Sequence, residues 1–206
     1  MAQGMTNRPL LVLGTGNRKK ALELAGFFAP AGLELLTLAD LPDAIDVAET
    51  GTTFAANAAL KAAEQARHLQ RWVLADDSGL AVDALGGRPG VLSARYSGPD
   101  ASDESNNRRM LDELGQTPLE KRTAQFVCHM CLADPSGAIR AEAEASCRGR
   151  ILFEARGEYG FGYDPLFEVV EYHRTFGQLG PVVKACLSHR ARAARRLLAA
   201  LIALID

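Results

Sequence analysis

The chain has 206 residues, 48% of them hydrophobic and 23% charged, an ordinary globular balance with ample material for a core. Its 23 basic and 25 acidic residues leave a formal net charge of −2, so nothing draws the whole molecule to nucleic acid or to an acidic membrane, and any anion site must be local. No apolar run approaches bilayer length and Met1 to Pro9 lacks a signal-peptide core, which points to a cytoplasmic protein.

Residues 1–9 read as a loose tail ahead of one domain, 10–206. Leu10-Leu11-Val12-Leu13 reads as a buried strand that runs into Gly14-Thr15-Gly16-Asn17-Arg18-Lys19-Lys20, and from Asn17 the pattern turns helical up to Pro30. A strand, a glycine turn and a helix start make an anion cradle of backbone N–H groups and the positive helix end. Lys19 and Lys20 oppose the dipole there, which favours a bound anion over a plain tight turn. The loop has neither Walker A spacing nor the third glycine of a dinucleotide fingerprint. Leu33 to Leu38 reads as a second strand. An acidic loop with Glu49 then leads to Thr52 or Thr53 as cap of an alanine-rich helix from Phe54 to about Leu69. Asn57 and Lys61 share a face of it, which by itself reads as a solvated polar face.

Trp72 to Ala75 is the next strand, and it runs into Asp76-Asp77-Ser78-Gly79. One reading has it deliver two carboxylates to a sheet edge, where mutual repulsion and lost hydration call for a divalent cation. The other reading is a surface turn. The Gly86-Gly87-Arg88-Pro89-Gly90 stretch is a shaped loop, and residues 101–115 read as a polar helix. Arg122 to Ala133 and Ala138 to Gly149 are extended runs joined by Asp134-Pro135-Ser136-Gly137, an antiparallel hairpin, so the sheet is mixed. Cys128 and Cys131 have C-x-x-C spacing, but three residues apart on a strand they face opposite ways and cannot share a zinc ion. The loop Gly160-Phe161-Gly162-Tyr163-Asp164 suits either a stacked ring with a carboxylate for its polar edge or a packed turn. Ser188 caps a final helix whose apolar face includes Leu197 and Leu201, with His189 and Arg190 in its first turn, a pair that by itself reads as surface.

In this order, Thr15-Gly16-Asn17 with Lys20, Glu49-Thr50-Gly51, Thr53-Phe54 with Asn57 and Lys61, Asp76-Asp77-Ser78-Gly79-Leu80 and Ser93-Ala94-Arg95-Tyr96-Ser97-Gly98 form an ordered set. Gly160-Phe161-Gly162-Tyr163-Asp164-Pro165 and Lys184 with Ser188-His189-Arg190 complete it. From about Leu10 onward the chain resembles the inosine/xanthosine triphosphate pyrophosphatase family in its bacterial form. The resemblance implies a mixed, elongated α/β sheet in two lobes with a substrate cleft between them, usually in a homodimer. It implies Mg²⁺-dependent hydrolysis of ITP, dITP and XTP to the monophosphate and pyrophosphate. By motif, Thr15, Gly16, Asn17, Arg18, Lys19 and Lys20 would hold phosphates, Glu49 and Asp77 would bind Mg²⁺, and Asp77 would take the proton of the attacking water. Ser78, Phe161, Gly162, Tyr163, Asp164, Lys184, His189 and Arg190 would complete the nucleotide site. Asp76 would be an additional ligand or a supporting group, and the roles of Asn57 and Lys61 stay open. The rival readings are a Maf-type nucleotide pyrophosphatase, a nucleotide sensor without turnover and, more remotely, a nucleic-acid-binding module.

Overall fold

The computed structural model describes residues 8–205, so most of the expected tail lies outside the described residues. β1 (Leu10–Leu13) and β2 (Glu34–Thr37) pair in parallel, joined through α1 (Arg18–Phe28), the right geometry for a strand–helix–strand unit. α2 (Phe54–Leu69) begins at Thr53, whose hydroxyl accepts from the Ala56 N–H, and leads into β3 (Val73–Val82). α3 (Asp103–Leu114) precedes the long hairpin of β4 (Thr123–Ala133) and β5 (Ile139–Ile151). Its turn is closed by Asp134, which accepts from the N–H groups of Ser136 and Ala138, and by Gly137 at φ 81°. Short β6 (Phe167–Val169) and β7 (Arg174–Thr175), then α4 (Phe176–Leu187) and α5 (His189–Ile205), finish the chain.

The sheet runs β2-β1-β3-β4-β5-β6-β7, parallel at β2-β1-β3 and antiparallel from β3 onward. This is the expected mixed α/β sheet. Each face of its first half has its own cover. Leu24 and Phe28 of α1 and Leu197 and Leu201 of α5 bury Leu11, Leu13, Leu74 and Met130 on one side. On the other side Ala58, Ala62 and Ala66 of α2, four residues apart, lie against Val12, Val73, Ala75, Cys131 and Ala133. Cys128 belongs to the first core and Cys131 to the second, so the two thiols face opposite ways, as strand alternation requires. The far half of β3, β4 and β5 builds a separate core with α3 and α4, around Leu80, Phe126, Met110, Phe167 and Phe176. These are the two lobes, carried on the same long strands.

β1 pairs with β3 only at Val12–Val73 and Leu13–Leu74 and then ends. β3 runs on through Asp76 and Asp77 to Val82 while its β1 side opens. The acidic stretch is therefore neither a turn nor the end of a strand: it is the middle of a ten-residue strand, at the point where the neighbouring strand stops. No helix among the described residues is long and apolar enough to cross a membrane.

Candidate active site

Strand alternation decides the fate of the paired acids. Asp76 and Asp77 project from opposite faces of β3, so they do not share a cation, contrary to the expectation drawn from their adjacency.

Asp77 turns toward α2. Its Oδ2 accepts from Asn57 Nδ2 at 3.1 Å and its Oδ1 from Lys61 Nζ at 3.3 Å. Lys61 also donates to Glu49 at 2.9 Å, so one ammonium bridges the two carboxylates marked as metal ligands. Asn57 is wholly buried, and its Oδ1 accepts the Gly51 N–H at 2.8 Å. A Cβ on Gly51 would lie 2.6 Å from that Oδ1, so the glycine lets the Glu49 loop dock on Asn57. The polar face of α2 is thus no solvated surface: Asn57 and Lys61 hold Glu49 and Asp77 in place. Burial raises the Asp77 carboxyl above its ordinary value, against the pull of Lys61 and Lys20. Burial acts to lower the Lys61 ammonium, but Asp77 and Asp76 outweigh it and the group is raised. Two carboxylate oxygens already converge on a cation here, and a hard divalent ion that keeps most of its water fits the same donors.

Asp76 turns toward α1 and α5. Arg190 Nε and Nη2 each reach its Oδ2 at 3.2 Å, Ser78 Oγ donates at 3.1 Å and Lys20 Nζ stands at 3.7 Å. Burial pushes the Asp76 carboxyl up, yet Lys20 and Arg190 outweigh it and hold the group well below the usual carboxylate range. Its Oδ1 is buried without a partner. Asp76 is an anchor for Arg190, Lys20 and Ser78, on the face of the sheet away from Glu49.

Glu23, which sequence reasoning passed over, ties this side together. It accepts from Lys184 at 2.8 Å and from Arg190 Nη1 at 2.5 Å. The available signal was its position three residues after Lys20, on the same face of α1. Lys184 also donates to Asp164 at 2.6 Å, and Asp164 accepts the Phe161 N–H at 2.8 Å. Asp164 is therefore engaged in shaping its own loop and does not offer a free carboxylate to a ring edge. Tyr163 is likewise buried and donates to the Ser93 carbonyl at 2.9 Å. Phe161 is left half-exposed, with Lys184, Lys19 and Arg190 at 4.3, 5.6 and 5.9 Å from its ring centroid. His189 and Arg190 are almost fully buried, so the surface reading of that pair fails. His189 stacks on Phe126 at 4.8 Å, and its Nδ1 is buried without a partner. Burial, with Arg190 and Lys184 nearby, holds its imidazole well below the usual range.

Two adjoining cavities result. One, about 230 Å³, is lined by Phe161, Gly162, Lys184, His189, Arg190 and Ser78. The other, about 550 Å³, is lined by Thr15, Gly16, Glu49 and Lys61. Asn17 and Lys20 line both. The backbone cradle at α1 is partly spoken for: Asn17 Oδ1 accepts from the N–H groups of Lys19 and Lys20 at 3.0 and 3.1 Å. An anion there meets side-chain cations and the Thr15–Gly16 loop more than free N–H groups. Arg18 is exposed and lines neither cavity, while Lys19 pairs with Asp103 at 3.4 Å near Phe161.

A model described as the Ham1 family matches residues 11–200. A dITP/XTP pyrophosphatase of Rhodopirellula baltica is 55% identical over 95% of this chain and 94% of that protein. One from Geobacillus kaustophilus is 52% identical over 91% of each chain. Among solved structures, a HAM1 protein from Coxiella burnetii superposes with a TM-score of 0.85 at 34% identity, covering 93% of this chain and 98% of that one. The Ham1 protein of Staphylococcus aureus gives 0.82 at 38% identity, over 96% and 100%.

Proposed function

The chain belongs to the Ham1 family, and from that premise we propose that it hydrolyses ITP, dITP and XTP to the nucleoside monophosphate and pyrophosphate. In this reading it works with Mg²⁺, as a cytoplasmic homodimer, and clears deaminated purine nucleotides from the precursor pool. The observation that carries the reading is the junction of the two cavities at Lys20, with the half-exposed Phe161 ring on one side and a cation-bridged carboxylate pair on the other.

A base stacked on Phe161 would lie beside Lys184 and Arg190, each of which keeps an N–H beyond those given to Glu23, Asp164, Asp76 and Ser78. A 6-oxo group accepts from such donors, whereas the adenine 6-amino group is itself a donor and would leave buried polar groups unpaired. That difference separates ITP and XTP from ATP. GTP keeps the 6-oxo group, so its 2-amino group must be rejected separately. The triphosphate then runs past Lys20 toward Thr15, Glu49 and Lys61. Asp77, raised by burial and held by Asn57, would take the proton of a water attacking the α-phosphorus. Lys20 and Lys61 offset the charge that builds on the leaving pyrophosphate. Glu49 and Asp77 would hold Mg²⁺, which supplies further charge neutralisation and orients phosphate oxygens. The four free cysteines, three of them buried, suit a reducing compartment.

The test is product analysis with ITP, XTP, ATP and GTP, with Mg²⁺ and with chelator. Monophosphate plus pyrophosphate from ITP and XTP, at least about a hundredfold faster than from ATP, supports the reading. Orthophosphate as product, or equal cutting of ATP, contradicts it. Binding of ITP without turnover would favour the sensor reading.

A further inference from the structure

The Cys128-His129-Met130-Cys131 stretch holds a different ligand pair from the one its spacing suggests. His129 and Cys131 are two residues apart on β4 and share the face that α2 partly covers. Directly opposite on β5 stand Glu144, in register with His129, and Glu142, in register with Cys131. A ring nitrogen of His129, the Cys131 Sγ and a Glu142 oxygen all lie within 4.8 Å of one another. His129 Nε2 is 3.3 Å from Glu142, and its Nδ1 is 3.4 Å from Glu144. The ring is nearly buried while both glutamates reach solvent, so the cluster is open on one side.

Two arrangements satisfy the ring: an imidazolium that donates to both glutamates, or a neutral ring that holds a cation on one nitrogen. A neutral imidazole has one N–H, so it can donate to one carboxylate only, and its other nitrogen then turns a lone pair toward an oxygen. If Nδ1–H is held by Glu144, the free Nε2 points between a thiol and a carboxylate. A carboxylate fixing the far nitrogen of a histidine is the supporting arrangement of metal-binding imidazoles.

We propose that His129 Nε2, Cys131 Sγ and Glu142 form a second metal site, for a borderline divalent cation of the zinc type, with Glu144 orienting the ring. Nitrogen, sulfur and oxygen donors in a set of three leave a fourth, tetrahedral position to water. Mg²⁺, which demands oxygen donors, is rejected by the same set. The site is separate from the Glu49–Asp77 pair in chemistry, yet His129 is the register partner of Asp77 across β3 and β4. Binding replaces the thiol proton, which leaves to solvent.

The experiment uses the full chain carrying Cys186→Ser, which removes the exposed thiol, stripped of metal and titrated with Co²⁺ in excess Mg²⁺. The expected result is one equivalent of cobalt with a thiolate-to-cobalt charge-transfer band, erased by Zn²⁺. Cys131→Ser should abolish the band. His129→Val keeps a residue suited to a half-buried strand and guards against a folding failure at position 131; it should weaken binding at least tenfold. Glu144→Gln should weaken it by about 10- to 100-fold. No thiolate band at stoichiometric cobalt, or a band unchanged in His129→Val, overturns the proposal and leaves the ring as a hydrogen-bonded bridge between two carboxylates. Nucleotide hydrolysis is not the readout, so this outcome is independent of the catalytic reading.

Discussion

Replacing Arg190 by alanine is the sharpest perturbation of the framework behind the cleft. Arg190 and Asp76 are 2% and 1% exposed, and the guanidinium makes two contacts of 3.2 Å to one Asp76 oxygen while also holding Ser78 and Glu23. Breaking a buried pair by removing one partner typically costs about 3–5 kcal/mol, because the remaining charge stays buried without compensation. Here Lys20 remains 3.7 Å from Asp76, which places the cost near the lower end, about 3 kcal/mol. For a chain of this size each kcal/mol shifts the melting temperature by about 2–4 °C, so Arg190→Ala should melt about 6–12 °C lower. In the wild type the depressed Asp76 carboxyl contributes stability that is present above its unfolded value, about pH 4, and is lost as pH falls through the folded one. Without Arg190 that folded value rises, so the deficit should narrow on acidification. Thermal melts followed by circular dichroism from about pH 8 down to about pH 3 measure both effects. The double variant Asp76→Asn, Arg190→Met should recover more than half of the loss, since an apolar or neutral replacement removes the stranded charge. A shift below about 2 °C for Arg190→Ala near neutrality would show that the network is solvated and refute the reasoning.

Three further outcomes follow from the same geometry. His189 is buried with its imidazole held well below its usual range, so the unfolded chain takes up a proton near pH 6.5 that the folded one refuses, and stability falls as pH drops below that value by up to about 1.4 kcal/mol per pH unit. His189→Phe should remove that slope; the difference between the two proteins is the quantity to read, because the raised Asp77 contributes in the opposite sense at lower pH. Asn57→Ala frees both Asp77 and the Gly51 loop and should lower kcat by about 10- to 100-fold, the range for losing a supporting partner at a metal site, with a smaller effect on KM in steady-state kinetics. Gly79→Ala would bring a Cβ to 2.3 Å from Ser93 Oγ and 2.6 Å from the Gly90 carbonyl, an overpacking that should cost about 1–3 kcal/mol in chemical denaturation.

Sequence patterns reached the elements with long periods and missed those without. α2 came out with both ends and with its cap narrowed to Thr52 or Thr53, of which Thr53 is the cap, because alanine spacing and the threonines mark them. The β4–β5 hairpin was legible from its turn. β6 and β7, three and two residues long, carry no usable period, and Gly180 and Pro181 disguise α4 as a loop by breaking it. At the site, the motif order brought most of the expected residues into one cleft, while their local chemistry misled. Two adjacent aspartates look like one acidic cluster, but the alternation of a strand parts them, and that rule was available once the strand was allowed to run on. The burial of Arg190 was not legible, since it depends on Asp76, 114 residues away, nor was that of His189, which depends on the Phe126 ring. Asn57 and Lys61 looked solvated for the same reason: their partners sit on β3 and in the Glu49 loop.

The proposed chemistry turns on where water attacks. Hydrolysis of ITP in oxygen-18-labelled water, with the products separated and weighed by mass spectrometry, answers it. Attack at the α-phosphorus places the label in the monophosphate and leaves pyrophosphate unlabelled, and Asp77→Asn should slow that labelling by about 10²- to 10⁴-fold. Label in pyrophosphate or orthophosphate, or an Asp77→Asn enzyme as fast as the wild type, would contradict it.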